Sequence, residues 1–170
     1  MSAWAGLGYY ARARNLHRAA QIVCSDHGGL FPQNVEGLRA LPGIGPYTAG
    51  AIAAIAFGQP SIVVDGNIER VMARYFAVAT PLPAAKADIG ALYATVRPDE
   101  RPSDFPQALM DFANAVCTPK APGCPGCPLA NGCAARQAGA QQDFPVKPLK
   151  KAKPARRGIA FVALDSDGRA

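Results

Sequence analysis

Over most of the chain the apolar positions recur at helical spacing rather than in alternation. From Tyr10 to Cys24, Leu16, Ala19, Ala20 and Val23 form one stripe and Gly28-Gly29 stops it, which predicts a helix. Asn34 is placed to cap a short helix ending near Leu41, with Glu36 in its favourable first turn. An alanine-rich helix follows from Pro46 to Phe57, ended by Gly58 and Pro60. Ile68, Val71, Met72, Tyr75 and Phe76 predict another over Gly66–Val78, and a further one covers Ala84–Val96. A last helix, capped by Asp104 with Pro106 in its first turn, leads to Cys117. Only at the end does the period change: "GIAFVAL" reads as a strand and "DSDGRA" as the turn after it. The fold class expected is mainly α, with one strand at the C-terminus.

With 170 residues, 49% hydrophobic and 18% charged, the chain is globular rather than disordered. A net charge of +6 favours an anionic partner without identifying one. No apolar run is long enough to span a membrane; the longest, "AGAIAAIAFG", has the length of a buried helix. The first residues lack a signal peptide's apolar core, so a cytoplasmic protein with no membrane partner is expected. Between Cys133 and the strand, "QAGAQQDFPVKPLKKAKPARRG" is rich in proline and basic residues and reads as a linker.

Four of the five cysteines crowd into "CTPKAPGCPGCPLANGC": Cys117, six residues, Cys124, two residues, Cys127, five residues, Cys133. Nothing suggests secretion, so clustered thiols point to a metal rather than to disulfides. Structural zinc sites usually pair two short knuckles far apart, whereas here one short pair is flanked by single cysteines in one loop. The spacing favours an iron–sulfur cluster over zinc and leaves zinc open. Cys24 stands apart and reads as a small buried hydrophobe without a role.

In "LPGIGPYTAGAI", Gly43 and Gly45 bracket Ile44 between two helices, so the backbone turns sharply while Ile44 enters the core. Such a turn leaves amides at a helix N-terminus open to a DNA phosphate, a grip that positions without reading bases. The same pattern also suits an ordinary helix connection. Asp65, just before a predicted helix, reads on its own more readily as a cap than as a catalytic group.

Taken in order, "WAGLGYYARARNLH", "LPGIGPYTAGAI", "VDGNIERV" and the cysteine loop resemble the adenine DNA glycosylases (the MutY family), a branch of the endonuclease III-like helix-hairpin-helix superfamily. The resemblance runs from Trp4 to Cys133. It implies a helix-hairpin-helix glycosylase core over residues 1–135 with a [4Fe-4S] cluster on Cys117, Cys124, Cys127 and Cys133. A basic linker over 136–156 and the start of a Nudix-like domain over 157–170 follow. The implied activity is removal of adenine mispaired with 8-oxoguanine or guanine, in base excision repair, by a monomer acting on double-stranded DNA.

By the same resemblance Asp65 matches the catalytic aspartate, and Asn67 a residue that hydrogen-bonds near it. A carboxylate beside the sugar would stabilise the oxocarbenium-like charge that builds as the glycosidic bond breaks. Tyr47 stands where strand-cutting relatives carry a Schiff-base lysine; a phenol forms no imine, so a monofunctional enzyme is expected. Tyr9 matches a tyrosine that wedges into the duplex beside the lesion. Arg12, Arg14 and Lys120 are candidate phosphate contacts, and Gly43 and Gly45 the hairpin's own.

The family's N-terminal helices, with the glutamate that protonates adenine, have no counterpart in the sequence, and Glu36, Glu69 and Glu100 do not stand in the matching motif. General acid help typically contributes about 10²–10⁴-fold, so weak activity of this chain alone is expected. Two rivals remain: a non-catalytic DNA-binding module with a structural cluster, and a zinc-stabilised interaction domain.

Overall fold

The structure, a computed structural model, describes residues 2–148 together with residues 158, 159, 163, 166 and 167. Among these residues seven α-helices follow in chain order: α1 Tyr10–Asp26, α2 Val35–Ala40, α3 Pro46–Phe57, α4 Gly66–Tyr75, α5 Lys86–Val96, α6 Asp104–Ala115 and the single turn α7 Ala134–Gln137. No strand occurs among the described residues. Most of the strand expected over 158–164, most of the domain expected to open at 157 and the end of the linker lie outside them. No described helix is long and apolar enough to cross a membrane.

Helix α4 is the centre of the molecule. Its Ile68 and Met72 join Ala54, Val63, Ile89 and Tyr93 in the main core, with Phe105, Leu109 and Phe144 packed around them. Val63 is drawn in because the extended stretch before α4 lies directly on α3. A side chain at Gly50 would run into the Ile62 carbonyl, and the Ser61 hydroxyl donates to the Gly50 carbonyl at 2.7 Å. A second, smaller core joins Ala19, Val23 and Leu41, and a third joins Leu38, Ala49 and Ala53. Ile44, at the tip of the hairpin, packs against both, as its place between two glycines predicts.

Four expectations need correction. The buried face of α1 is rotated: Leu16 is 64% exposed and Ala20 is exposed, while Asn15, Ala19, Ile22 and Val23 face the hairpin. The cause is Gly43, which lacks a side chain where Asn15 approaches. Cys24 is exposed rather than buried. Helix α4 ends at Tyr75, where Ala77 takes φ 49° and the Val78 amide turns back to the Ala73 carbonyl at 2.9 Å. Asp104 is the first residue of α6 rather than its cap. Ser103 precedes it in helical conformation, and the Asp104 carboxylate pairs with Arg101 and accepts from the Ser103 hydroxyl.

Candidate functional site

Asp65 caps α4. Its Oδ1 accepts from the backbone amides of Asn67 at 2.9 Å and Ile68 at 2.7 Å, satisfying two donors that no intrahelical acceptor reaches. Its Oδ2 accepts only from the Asn67 side-chain Nδ2, at 3.2 Å. The cap fixes the carboxylate against the helix and leaves one oxygen lightly engaged, at a half-buried position. Asn67 is thus beside Asp65, as the sequence predicts.

Asn67 passes the network on. Its Oδ1 accepts from both terminal nitrogens of Arg70, at 3.2 and 3.3 Å. Arg70 is 8% exposed and donates from Nε to the Cys117 carbonyl at 2.8 Å and from Nη2 to the Ala113 carbonyl at 2.9 Å. Burial pulls its guanidinium below the ordinary arginine value; the Cys117 thiol opposes this, Arg74 adds to it, and Asp65 opposes it again. Arg74, one turn on and 2% exposed, donates to the carbonyls of Cys117, Thr118, Pro119 and Phe144 and to Cys117 Sγ at 3.3 Å. The cysteine loop is irregular backbone, and these two arginines take up its carbonyls.

Cys117, Cys124, Cys127 and Cys133 are free, half-buried and line one pocket, closed by Val71, Phe112 and Leu129 and faced by Arg74 and Arg136. Short 3₁₀ turns at Cys124–Gly126 and Ala130–Gly132 bend the loop around it. A side chain at Gly132 would collide with the Tyr75 hydroxyl, so glycine lets the loop close onto α4. Among the described residues, no group of three or more His, Cys, Asp or Glu side chains is drawn together as a single ion would need. The carboxamide oxygen of Gln141, on the same pocket wall, is buried without a hydrogen-bond partner.

At the hairpin, Gly43 has φ +82° and a β-carbon there would lie 2.7 Å from Asn15 Cβ; Gly45, at φ −84°, faces open space. Pro46 opens α3 without an N–H, and the amides of Tyr47 and Thr48 lie in its first turn, where they have no intrahelical acceptor. Tyr47 is 42% exposed and lines a cleft of about 600 Å³ with Ile62, Val64, Glu69 and Lys86. The residues on either side of Asp65 in that wall are Val64 and Glu69; Asp65 is not part of it.

Tyr9 precedes α1 in left-handed conformation, φ 48°, and is 79% exposed, with the Arg12 guanidinium 5.2 Å from its ring. An aromatic held out in a conformation that non-glycine residues seldom adopt is not a core aromatic. Arg12, Arg14 and Lys120 are exposed. The structure therefore brings Asp65, Asn67 and the cysteine loop into one network, while Tyr9 and the hairpin lie on the α1 side. Sequence reasoning missed Arg70, Arg74, Asn15 and Gln141. For the arginines a signal existed: two charges four residues apart in a helix otherwise built for the core.

A family described as the helix-hairpin-helix motif matches residues 26–55. The human adenine DNA glycosylase is 45% identical over 137 residues, covering 79% of this chain and 25% of the human protein. That of Mycobacterium tuberculosis is 38% identical over 174 residues, covering 99% of this chain and 53% of that protein. Among solved structures, a thermostable thymine-DNA glycosylase superposes with a TM-score of 0.69 at 34% identity, covering 75% of this chain and 59% of that one. A trapped endonuclease III–DNA covalent intermediate superposes with a TM-score of 0.66 at 28% identity, covering 78% and 61%. The chain spans from a quarter to about half the length of these curated relatives.

Proposed function

The chain belongs to the adenine DNA glycosylase family within the endonuclease III-like helix-hairpin-helix superfamily, and on that premise we propose that it serves hydrolysis of the N-glycosidic bond of adenine in double-stranded DNA. The target adenine stands opposite 8-oxoguanine or guanine, and the reaction belongs to base excision repair. The observation that carries this reading is the Asp65 carboxylate: fixed by two backbone amides on one oxygen, and held by a single side-chain amide on the other. A pre-oriented carboxylate needs no reorganisation as positive charge develops on the sugar, which is where electrostatic stabilisation is strongest.

The other parts fit around that group. The hairpin's open amides and Gly45 accept a backbone phosphate, and exposed Tyr9 enters the duplex to replace stacking lost when adenine swings out. Tyr47, standing where strand-cutting relatives carry the Schiff-base lysine, offers no amine, so base removal is not followed by strand cleavage from that position. Cys117, Cys124, Cys127 and Cys133 hold a [4Fe-4S] cluster: all four line one pocket, and one short pair flanked by single cysteines in one loop suits a cube better than the two separate knuckles of a structural zinc site. When bound, the cluster fixes the loop that Arg70 and Arg74 hold. The protein acts as a monomer.

The test is Asp65→Asn, which can still cap the helix, made in a form of the protein that also carries the family's glutamate-bearing N-terminal helices. Single-turnover adenine release from an A:8-oxoguanine duplex should fall by roughly 10²–10³ while duplex affinity stays within about twofold. Equal release by both proteins would favour the non-catalytic DNA-binding module.

A further inference from the structure

The cysteine pocket contains a polar group that the network above does not use. Gln141 follows α7 on a hydrogen-bonded turn: the Ala140 amide donates to the Ala135 carbonyl at 2.9 Å and the Asp143 amide to the Ala140 carbonyl at 3.0 Å. Ala135 is fully buried, so the turn is anchored and delivers the side chain to the same place each time. There the carboxamide lines the pocket with the four cysteines, and its Oε1 is buried with no partner.

An acceptor left unpaired among sulfurs is in the wrong orientation. Thiolates and inorganic sulfides are acceptors too, so Oε1 gains nothing from them and loses its hydration. Rotating the carboxamide by half a turn about its last torsion exchanges Oε1 and Nε2 without moving any other atom. The exchange faces a donor to the sulfurs and releases the oxygen toward solvent. The balance between the two orientations is therefore set by what fills the pocket, and sulfur ligands favour the donor.

We propose that Gln141 donates an N–H···S hydrogen bond to the sulfur ligands of the cysteine site and thereby raises the reduction potential of the cluster held there. The inference rests on the cluster reading given above. One added electron makes the cluster and its four thiolates more negative by one charge, and a donor aimed at sulfur stabilises that state more than the oxidised one. Arg74 acts in the same sense, through its contact with Cys117 Sγ, but it also holds the loop, whereas the Gln141 side chain makes no hydrogen bond through its buried oxygen.

The experiment compares the wild-type chain with Gln141→Leu and Gln141→Met, each loaded with iron and sulfide, by voltammetry at one pH with iron counted per chain. Both variants should shift the midpoint potential to more negative values. A tenfold change in the reduction equilibrium is expected, about 59 mV for one electron. Gln141→Glu, which brings a charge to the same place, should shift it further. Four irons per chain with unchanged potentials in Leu and Met variants would overturn the proposal and leave the cluster reading standing. A wild-type chain that binds no iron would end both. If neither variant keeps its iron, the wild-type protein decides: with glutamine labelled by ¹⁵N in the side chain, a hyperfine coupling to the paramagnetic cluster supports the contact, and none refutes it.

Discussion

The hairpin and the cysteine loop pose one physical problem, irregular backbone at the end of a helix, and solve it in opposite ways. At the hairpin the solution is absence. Gly43 takes a left-handed conformation and makes room for Asn15, Gly45 faces open space, and Pro46 brings no donor, so the remaining amides point outward. At the cysteine loop the solution is addition. Two buried arginines reach across from α4 and take up the carbonyls of Ala113, Cys117, Thr118, Pro119 and Phe144. One region keeps its polar backbone free for a partner and the other satisfies it internally. On the function proposed above, the difference separates a surface for gripping DNA from a frame for holding a cluster.

The strongest way to break this contrast is Arg74→Met. Removing a 2%-exposed guanidinium leaves the carbonyls of Thr118, Pro119 and Phe144 without their donor and the Cys117 carbonyl with Arg70 alone, and we expect about 3–5 kcal/mol of lost stability. Thermal unfolding should fall by about 10 °C and iron content with it. An unchanged melting temperature would mean that the loop does not depend on internal donors.

Next comes a pair at the hairpin. Gly43→Ala places a β-carbon at φ +82° against Asn15 and should cost about 2–3 kcal/mol. Gly45→Ala meets nothing within 4 Å and should leave stability unchanged within about 0.5 kcal/mol while weakening duplex affinity. If Gly45→Ala binds DNA as wild type does, a phosphate does not approach there.

Smaller again is a pH effect in the main core, which neither region governs. Tyr93 is fully buried, its hydroxyl has no partner, and burial pushes its pKa from 10.0 up to about 12, partly offset by Arg97. The folded state resists ionisation that the unfolded state permits. The stability involved is complete below pH 10 and is lost as pH rises toward 12, at most about 2 kcal/mol. Chemical denaturation at stepped pH should show that loss, and Tyr93→Phe should abolish it.

The smallest effect separates the two duties of Asp65. Asp65→Ala loses the cap and should unfold about 1 kcal/mol more easily than Asp65→Asn, with both equally poor in adenine release. Equal stability of the two would show that the cap contributes little and the carboxylate is held by Asn67 alone.

Much of the site was open to sequence reasoning because its signals are local. A carboxylate before a helix and two glycines around an isoleucine depend on neighbours within a few residues, and each takes the place its spacing dictates: Asp65 caps α4 and Ile44 enters the core. The same holds for the helix order, since caps and apolar periodicity are read over one or two turns. Tertiary structure alone decided which face α1 buries, because that depends on the gap left by Gly43 against Asn15, 28 residues away by their numbers. It also decided that Arg70 and Arg74 are interior and that Gln141 shares a pocket wall with the four cysteines. Arginines normally stay in water, and these are buried because they find carbonyls 43 to 70 residues further along the chain. Periodicity cannot announce such partners; only the closed fold supplies them.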